Sequence, residues 1–369
     1  MYMANYELSI AENYVPNWTV KDAVRELFQN AIDQQTINPD NIMTFDAHND
    51  VLEITTANAS LETSSLLLGA STKQDSDTTI GQYGEGYKLA LLVLTREGKQ
   101  VVIENYGKKE CWRPNLKYSN RFGTKLLAFD VKKVKSPDHA NLRFIIIGLS
   151  EEEMQEIIES NLHMQMETTN IIETSMGTIL LDDHHKGQVY VGGLHVCDHK
   201  YTHGYNFKPE YMKLDRDRKL ISDFDLEWLA SRMWAASGSD KIIALAETGA
   251  KDVAYLENQY LFSTPAKTIP DQALAEFKLK HGEKAHPVTS QAELTELISK
   301  SPDAKAVIVT SGFKHLIKSS QDYEEPEEVQ EEDQNPIQRL LDWFDNVEEL
   351  ISEDQALEFR QIMEELKPE

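Results

Sequence analysis

WTVKDAVRELFQNAIDQQ, residues 18–35, decides how the rest of the chain is read. The run predicts a helix over 20–35, with Val24, Leu27, Phe28 and Ile32 supplying packing. Glu26, Asn30 and Asp33 stand at i, i+4 and i+7, so they project from one stripe. A carboxylate, a carboxamide and a second carboxylate in that order can set a general base one turn from a Mg²⁺ ligand. The amide oxygen is a neutral hard donor and leaves the metal's charge for phosphates. The same three positions also suit a solvated polar face, and the helix alone does not choose between these readings.

The next informative stretch is LLLGASTKQDSDTTIGQYGEGYKLALLVL, residues 66–94. Gly81, Gly84 and Gly86 form G-x-x-G-x-G directly before an apolar helix expected from Tyr87. Backbone amides and a helix N-terminus are thus offered together to an anion. Ser71, Thr72 and Lys73 precede the glycines, and the acidic-polar run 74–79 suits a lid that closes over a nucleotide. Lys73 and Lys88 add positive charge for phosphates.

Together the two stretches resemble the GHKL superfamily of ATPases, named for gyrase, heat-shock chaperones, histidine kinases and MutL. ELFQNAID is similar to its N-box, E-x-x-x-N-A-x-D, and GASTK followed by IGQYGEGYKLA is similar to its lid and second glycine box. The resemblance covers residues 13–105 and, by domain size, extends to about residue 180. It implies a Bergerat α/β sandwich holding ATP and Mg²⁺ between a helical layer and the lid. Glu26 would then orient the attacking water, Asn30 would hold Mg²⁺, Asp33 would support that helix face, and Gly81, Gly84 and Gly86 would admit the phosphates. One departure stands out. The family's first glycine box, D-x-G-x-G, is replaced after the strand ending near Thr55 by TANAS, with Thr56, Asn58 and Ser60 where Asp, Gly and Gly are expected. The missing Asp normally accepts a hydrogen bond from the adenine amino group, and the Thr56 hydroxyl can accept one without charge assistance.

Downstream, GQVYVGGLHV and YMKLDRDRKLISDFDLEWLASRMW look like the second, transducer-like domain of chaperone, gyrase and MutL members. By that resemblance Arg218, or alternatively Arg216, would reach the terminal phosphate with a planar guanidinium. Surface arginines paired with Asp215 and Asp217 are the competing reading. His195, Cys197 and His199 would share a face if they lay on one regular strand, and with His203, His184 and His185 nearby they form a candidate Zn²⁺ cluster. No C-x-x-C pair supports it, and the alternative is fortuitous clustering at a strand end.

The expected class is α/β: residues 1–175 a GHKL ATP-binding domain, 176–320 a transducer-like region with a small αβα piece at 273–320, 321–335 an acidic linker, and 336–369 a helical tail. Candidate strands are 51–55, 100–104, 126–131, 142–147, 177–181 and 188–195. Candidate helices are 20–35, 87–96, 150–162, 223–236, 272–279 and 291–300. The tail stripe of Ile337, Leu340, Leu341, Phe344, Val347 and Leu350 reads either as half of a hairpin with the segment around Leu357, Phe359, Ile362, Met363 and Leu366, or as a docking element.

Composition narrows the function classes. The 369 residues carry 37 Lys and Arg against 62 Asp and Glu, a formal charge of −25. That field repels phosphate backbones and anionic lipid, so nucleic acid is disfavoured as a partner but not excluded locally. Much of the charge lies in the last 48 residues, where the run DYEEPEEVQEED (322–333) opposes packing. Cys111 and Cys197 cannot build a disulfide framework, no stretch is long and apolar enough to cross a membrane, and the start has no leader-like pattern. A cytoplasmic protein is expected. The resulting expectation is an ATP- and Mg²⁺-dependent ATPase acting on a protein client, with homodimerisation. The alternatives are a catalytically weak nucleotide sensor or scaffold, and a DNA mimic working through the acidic tail.

Overall fold

The computed structural model describes residues 3–66, 86–135, 139–165, 170–212, 222–259 and 268–327, and in the tail 340–341, 343–344 and 352–365. The chain divides into two compact units, 1–245 with 249–266, and 246–248 with 267–369.

The first unit is mixed α/β and opens on a wholly antiparallel seven-stranded sheet. Its strands are β1 (Met3–Ala11), β2 (Met43–His48), β3 (Val51–Thr56), β4 (Gln100–Asn105), β5 (Glu110–Ser119), β6 (Thr124–Lys133) and β7 (Leu142–Ile147), in the spatial order β1-β6-β5-β4-β7-β3-β2. Helices α1 (Val20–Ile37) and α2 (Gly86–Arg96) pack on each other and on the sheet. Alternation along β3 turns Leu52, Ile54 and Thr56 inward, while Val51, Glu53 and Thr55 take the other face. On that other face Arg143 ties β3 to β4, pairing with Glu53 and, at 2.7 Å, with Glu104. Every residue of α2 from Tyr87 to Leu94 is buried, because the helix lies between α1 and the sheet. Each such aliphatic side chain contributes roughly 1.5–3 kcal/mol through burial.

Beyond α3 (Glu151–Glu159), which Ser150 and Glu153 open with a capping box, comes a five-stranded sheet. Its strands are β8 (Ile171–Thr174), β9 (Gly177–Leu180), β10 (Gln188–Val191), β11 (Leu194–Asp198) and β12 (Gly204–Phe207), in the order β11-β10-β12-β9-β8, and β10 runs parallel to β12. The single strand expected over 188–195 is two. Gly192 and Gly193 take φ of 57° and 82°, which a continuous strand of side-chain-bearing residues rarely adopts, and they fold the run into the β10–β11 hairpin. Helix α4 (Asp223–Ser237) and the two short 3₁₀ turns at Lys251–Val253 and Leu256–Asn258 complete this region, with α5 (Lys241–Thr248) between them.

The second unit contains α6 (Thr268–His281), β13 (Ala285–Val288), α7 (Gln291–Lys300), β14 (Lys305–Ile308) and α8 (Ser311–Lys318), with β13 and β14 parallel. Both strands run into a Val-Thr-Ser sequence, at 288–290 and at 309–311, and Ser290 and Thr310 cap the helices that follow. The first part of the acidic stretch carries no regular secondary structure, yet it is held: Ser301 donates to the Glu327 carbonyl at 2.8 Å and Lys318 pairs with Glu325 at 2.6 Å. In the tail, α9 (Glu353–Glu365) places Phe359 parallel to Phe344 with ring centroids 4.1 Å apart. Of the expected stripe, Phe344 is buried and Leu340 exposed; Ile337, Val347 and Leu350 lie outside the described residues. Among the described residues no helix is long and apolar enough to cross a membrane.

Candidate functional site

The site is built on α1. Thr19 opens the helix with a capping box, accepting from Asp22 N while Asp22 Oδ2 accepts from Thr19 N at 2.9 Å. At the far end of α2, Arg96 gathers carbonyls of the preceding loop, with Tyr14 O and Trp18 O each at 3.1 Å. One guanidinium thereby fixes the entry to α1 against the exit of α2.

This clamp sets the polar stripe of α1 within the fold. Glu26 is 2% exposed and Asp33 fully buried, while Asn30 is half-buried. The stripe is therefore not a solvated face. A charged group is kept out of water only beside compensating groups, which makes these positions costly to maintain for packing alone. The Glu26 carboxylate lies against the head of α2: a Cβ at Gly86 would overlap its Oε2 and stand 3.2 Å from its Cδ. A larger residue at 86 would have to displace this carboxylate, the movable end of the Glu26 side chain. Asn30 Nδ2 donates to the Glu26 carbonyl at 2.7 Å, which turns the amide nitrogen toward the helix backbone and the oxygen away from it.

Thr56 ends β3 on the inward face, 4% exposed, opposite Met43 and Leu142 in register. The loop after it has Asn58 and Ser60 where the resemblance leads one to expect glycines, and one of these positions is left-handed. Asn58 adopts φ of 51°, the left-handed region that Asn tolerates better than most residues. Asn105, fully buried, clips this loop by donating to Leu61 O at 2.8 Å and accepting from Leu61 N at 3.3 Å. Tyr87, the residue after Gly86, donates to Ser65 O at 2.8 Å and contacts Ser65 Oγ at 2.9 Å, and burial pushes its phenol up to about 12. Lys88 is fully buried, with its ammonium 5.7 Å from the Tyr87 ring centroid. Lys73, Gly81, Gly84, Arg216 and Arg218 lie outside the described residues.

Arg25, next to Glu26 on α1, points to the second sheet. Its Nη1 donates to the His195 carbonyl at 3.1 Å, and burial lowers the pKa of the guanidinium. The segment after α3 joins the same strand, with His195 N donating to Ser160 O at 2.9 Å and Leu162 N to Gly193 O at 2.8 Å. Arg25, Tyr87 and Asn105 were not singled out by motif reading. Only Tyr87, an aromatic with a polar tip at the helix start after G-x-G, left a sequence signal.

The histidine cluster does not assemble. The register of β10 with β11 pairs Tyr190 with His195 but Val189 with Cys197, a bulge at Val196. Paired residues share a face, so His195 follows Tyr190 to one side, their rings 5.5 Å apart, and Cys197 follows Val189 to the other. The expectation of one shared face fails because strand alternation is interrupted. His203 lies 5.4 Å from Trp234, and among the described residues no group of three or more His, Cys, Asp or Glu side chains is gathered for a metal. What does assemble is a network on Asp252, fully buried, which accepts from Thr202 N at 2.7 Å, His203 N at 3.1 Å and Tyr205 Oη at 2.7 Å. Trp234 Nε1 in turn donates to Tyr205 Oη at 2.7 Å.

No family model matches the chain. An uncharacterised protein of Mycoplasma pneumoniae is 23% identical over 221 residues, 57% of this chain and 89% of that one. Among solved structures, the ATPase and transducer domains of DNA topoisomerase II from Balamuthia mandrillaris align at 11% identity over 53% of this chain and 67% of that chain. The TM-score is 0.30.

Proposed function

We propose that the chain is a GHKL-type nucleotide-binding protein that binds ATP with Mg²⁺ and hydrolyses it. Its turnover would drive a nucleotide-gated conformational change, or dimer clamping, on a protein client in the cytoplasm. The observation that carries this reading is the placement of the Glu26 carboxylate against Gly86 at the head of α2, with Asn30 one turn further along α1. A helix head with a closely approached glycine suits a phosphate, and a carboxylate beside it suits an attacking water.

The donor set fits the metal. Mg²⁺ commonly takes one or two protein oxygens and completes its shell with phosphate and water, so Asn30 Oδ1 suffices and a preassembled acidic cage is unnecessary. When bound, the ion would supply charge neutralisation at the phosphates. The chain's own residues do the rest: Glu26 orients and deprotonates water, Asp33 supports the helix face, and Thr56 offers its hydroxyl to the base. Gly81, Gly84, Gly86, Lys73 and Lys88 belong to the phosphate end, and Arg218 or Arg216 supplies the cation of the second domain. A titration of ATP with and without Mg²⁺, paired with phosphate release, tests the reading. Saturable, Mg²⁺-dependent binding with turnover supports it, and no binding at millimolar ATP refutes it.

A weaker sensor or scaffold is the second reading, favoured by Thr56 in place of a carboxylate and by the complete burial of Lys88. Binding without phosphate release would select it.

A further inference from the structure

We propose that the outer edge of β2 is a docking site for an extended, basic segment of another protein, which adds to the seven-stranded sheet as an eighth strand. The inference is independent of the nucleotide reading.

β2 is the last strand of the sheet, paired among the described residues with β3 alone, and every residue from Thr44 to His48 is exposed. Its first outward donor is already used, since Met43 N donates to Gln35 Oε1 at 2.7 Å. That bond shows which residues turn their main chain away from β3. By antiparallel alternation Phe45 and Ala47 follow Met43, so their amides and carbonyls face outward and have no hydrogen-bond partner among the described residues. Edges left like this are normally blunted by lysine, proline or a bulge. None of these occurs here: the β2–β3 register is unbroken from Met43↔Thr56 to His48↔Val51, and β2 reads MTFDAH.

Beside the edge lies a cleft of about 540 Å³, lined by Ile32, Gln35, Thr36, Met43, Phe45 and His163 among others. It is able to take alternate side chains of an added strand, which point to one face of the sheet. The Phe45 ring stands edge-on to the buried Phe28 at 5.8 Å, which gives this wall an aromatic contact with α1.

Charge selects the occupant. From Glu26 to Thr72 the chain has no Lys or Arg, and Asp40, Asp46 and Asp50 are exposed around the edge. A second copy pairing through β2 would bring two such acidic edges together in a chain of formal charge −25. Like charges placed opposite one another across strands are destabilising. A lysine- or arginine-bearing strand meets the opposite condition.

The test uses the full chain and an eight-residue probe alternating Lys with Val, alongside a glycine-interrupted peptide of equal charge and an alternating Glu-Val peptide. Amide exchange of Phe45 and Ala47 is followed together with affinity. Protection of these two amides in the wild-type chain by the Lys-Val probe alone, with probe affinity falling at least tenfold in Ala47→Pro, where the donor at 47 is removed, and about threefold in Asp46→Asn, supports the site. Asp46→Asn keeps the backbone and guards against a misfolded proline variant. Probe binding without protection at 45 and 47, or equal binding of the acidic peptide, overturns the proposal. Protection that grows with protein concentration and no peptide also overturns it, in favour of self-pairing.

Discussion

The polar stripe of α1 and the network around Asp252 both bury charge, and they do so in different ways. Asp252 is fully enclosed and collects two backbone amides and a tyrosine from Thr202, His203 and Tyr205, all in one short segment. Its partners are fixed by the fold, and the arrangement pins the start of β12 to the 3₁₀ turn at Lys251–Val253. Glu26 instead abuts Gly86 at the head of α2, with Asn30 one turn further along α1. The contrast teaches that burial of a carboxylate does not by itself mark a functional site. The two differ in their neighbours: backbone amides and a tyrosine around Asp252, a single glycine at the head of α2 beside Glu26.

Substitution should separate the regions. Glu26→Ala is expected to lower phosphate release by roughly 10²–10⁴-fold, the range for losing a general base, while ATP affinity stays near wild type. Equal losses of binding and turnover would make Glu26 a structural residue like Asp252. Asp252→Ala should do the reverse, destabilising the first unit by about 3–5 kcal/mol because three donors lose a buried acceptor. Thermal unfolding reads this as a fall on the order of 10 °C. A variant melting with wild type would dissolve the comparison.

Smaller effects sharpen it. Asn30→Ala should weaken nucleotide affinity roughly tenfold in Mg²⁺ and little in chelator, since only a metal ligand is removed. An unchanged affinity in Mg²⁺ would place the metal elsewhere. Thr56→Asp should tighten ATP over GTP by a few-fold, because a carboxylate makes the stronger charge-assisted bond to an amino group. A preference unmoved, or shifted toward GTP, would mean the base does not meet β3.

Acid should act on the second sheet. His185, His195 and His203 are each held below the usual histidine value, with burial the leading cause. Their neutral forms are favoured in the fold, so below about 6.5 the unfolded chain binds more protons. Stability is therefore fully present above that value and is lost as the pH falls through the lowered folded values. Thermal melts from pH 8 to pH 5 should be flat at first and then decline, equally in wild type and Glu26→Ala. A melting temperature that rises on acidification would contradict the burial of these rings as neutral groups.

Much of this was legible in residues 18–35 and 86–105, because helical periodicity and β-branched runs are local properties. The helices expected at 20–35 and 87–96 and the strands at 51–55, 100–104 and 142–147 coincide closely with α1, α2, β3, β4 and β7. β2 escaped notice since MTFDAH has almost no inward-facing surface to pattern, its residues being nearly all exposed. β5 escaped as well, with Pro114 in its middle and a mixed polar sequence, although it pairs along its whole length with β6. Pairing in a sheet is decided between segments far apart in the chain, and a partner can hold a strand whose own pattern is weak.

By itself the sequence determined which residues share the α1 stripe, since a fixed helical period sets their direction without reference to the rest of the chain. It also determined the acidic character of the surface around β2, which follows from counting charges. Only the tertiary structure decided that Glu26 and Asp33 are buried, that Glu26 meets Gly86 and that Arg25 reaches the His195 carbonyl. It alone decided that one bulged residue, Val196, parts His195 from Cys197. Burial, close approach and register are relations between distant segments, set by how apolar faces pack and by which strands exchange hydrogen bonds, and no single stretch of sequence carries them.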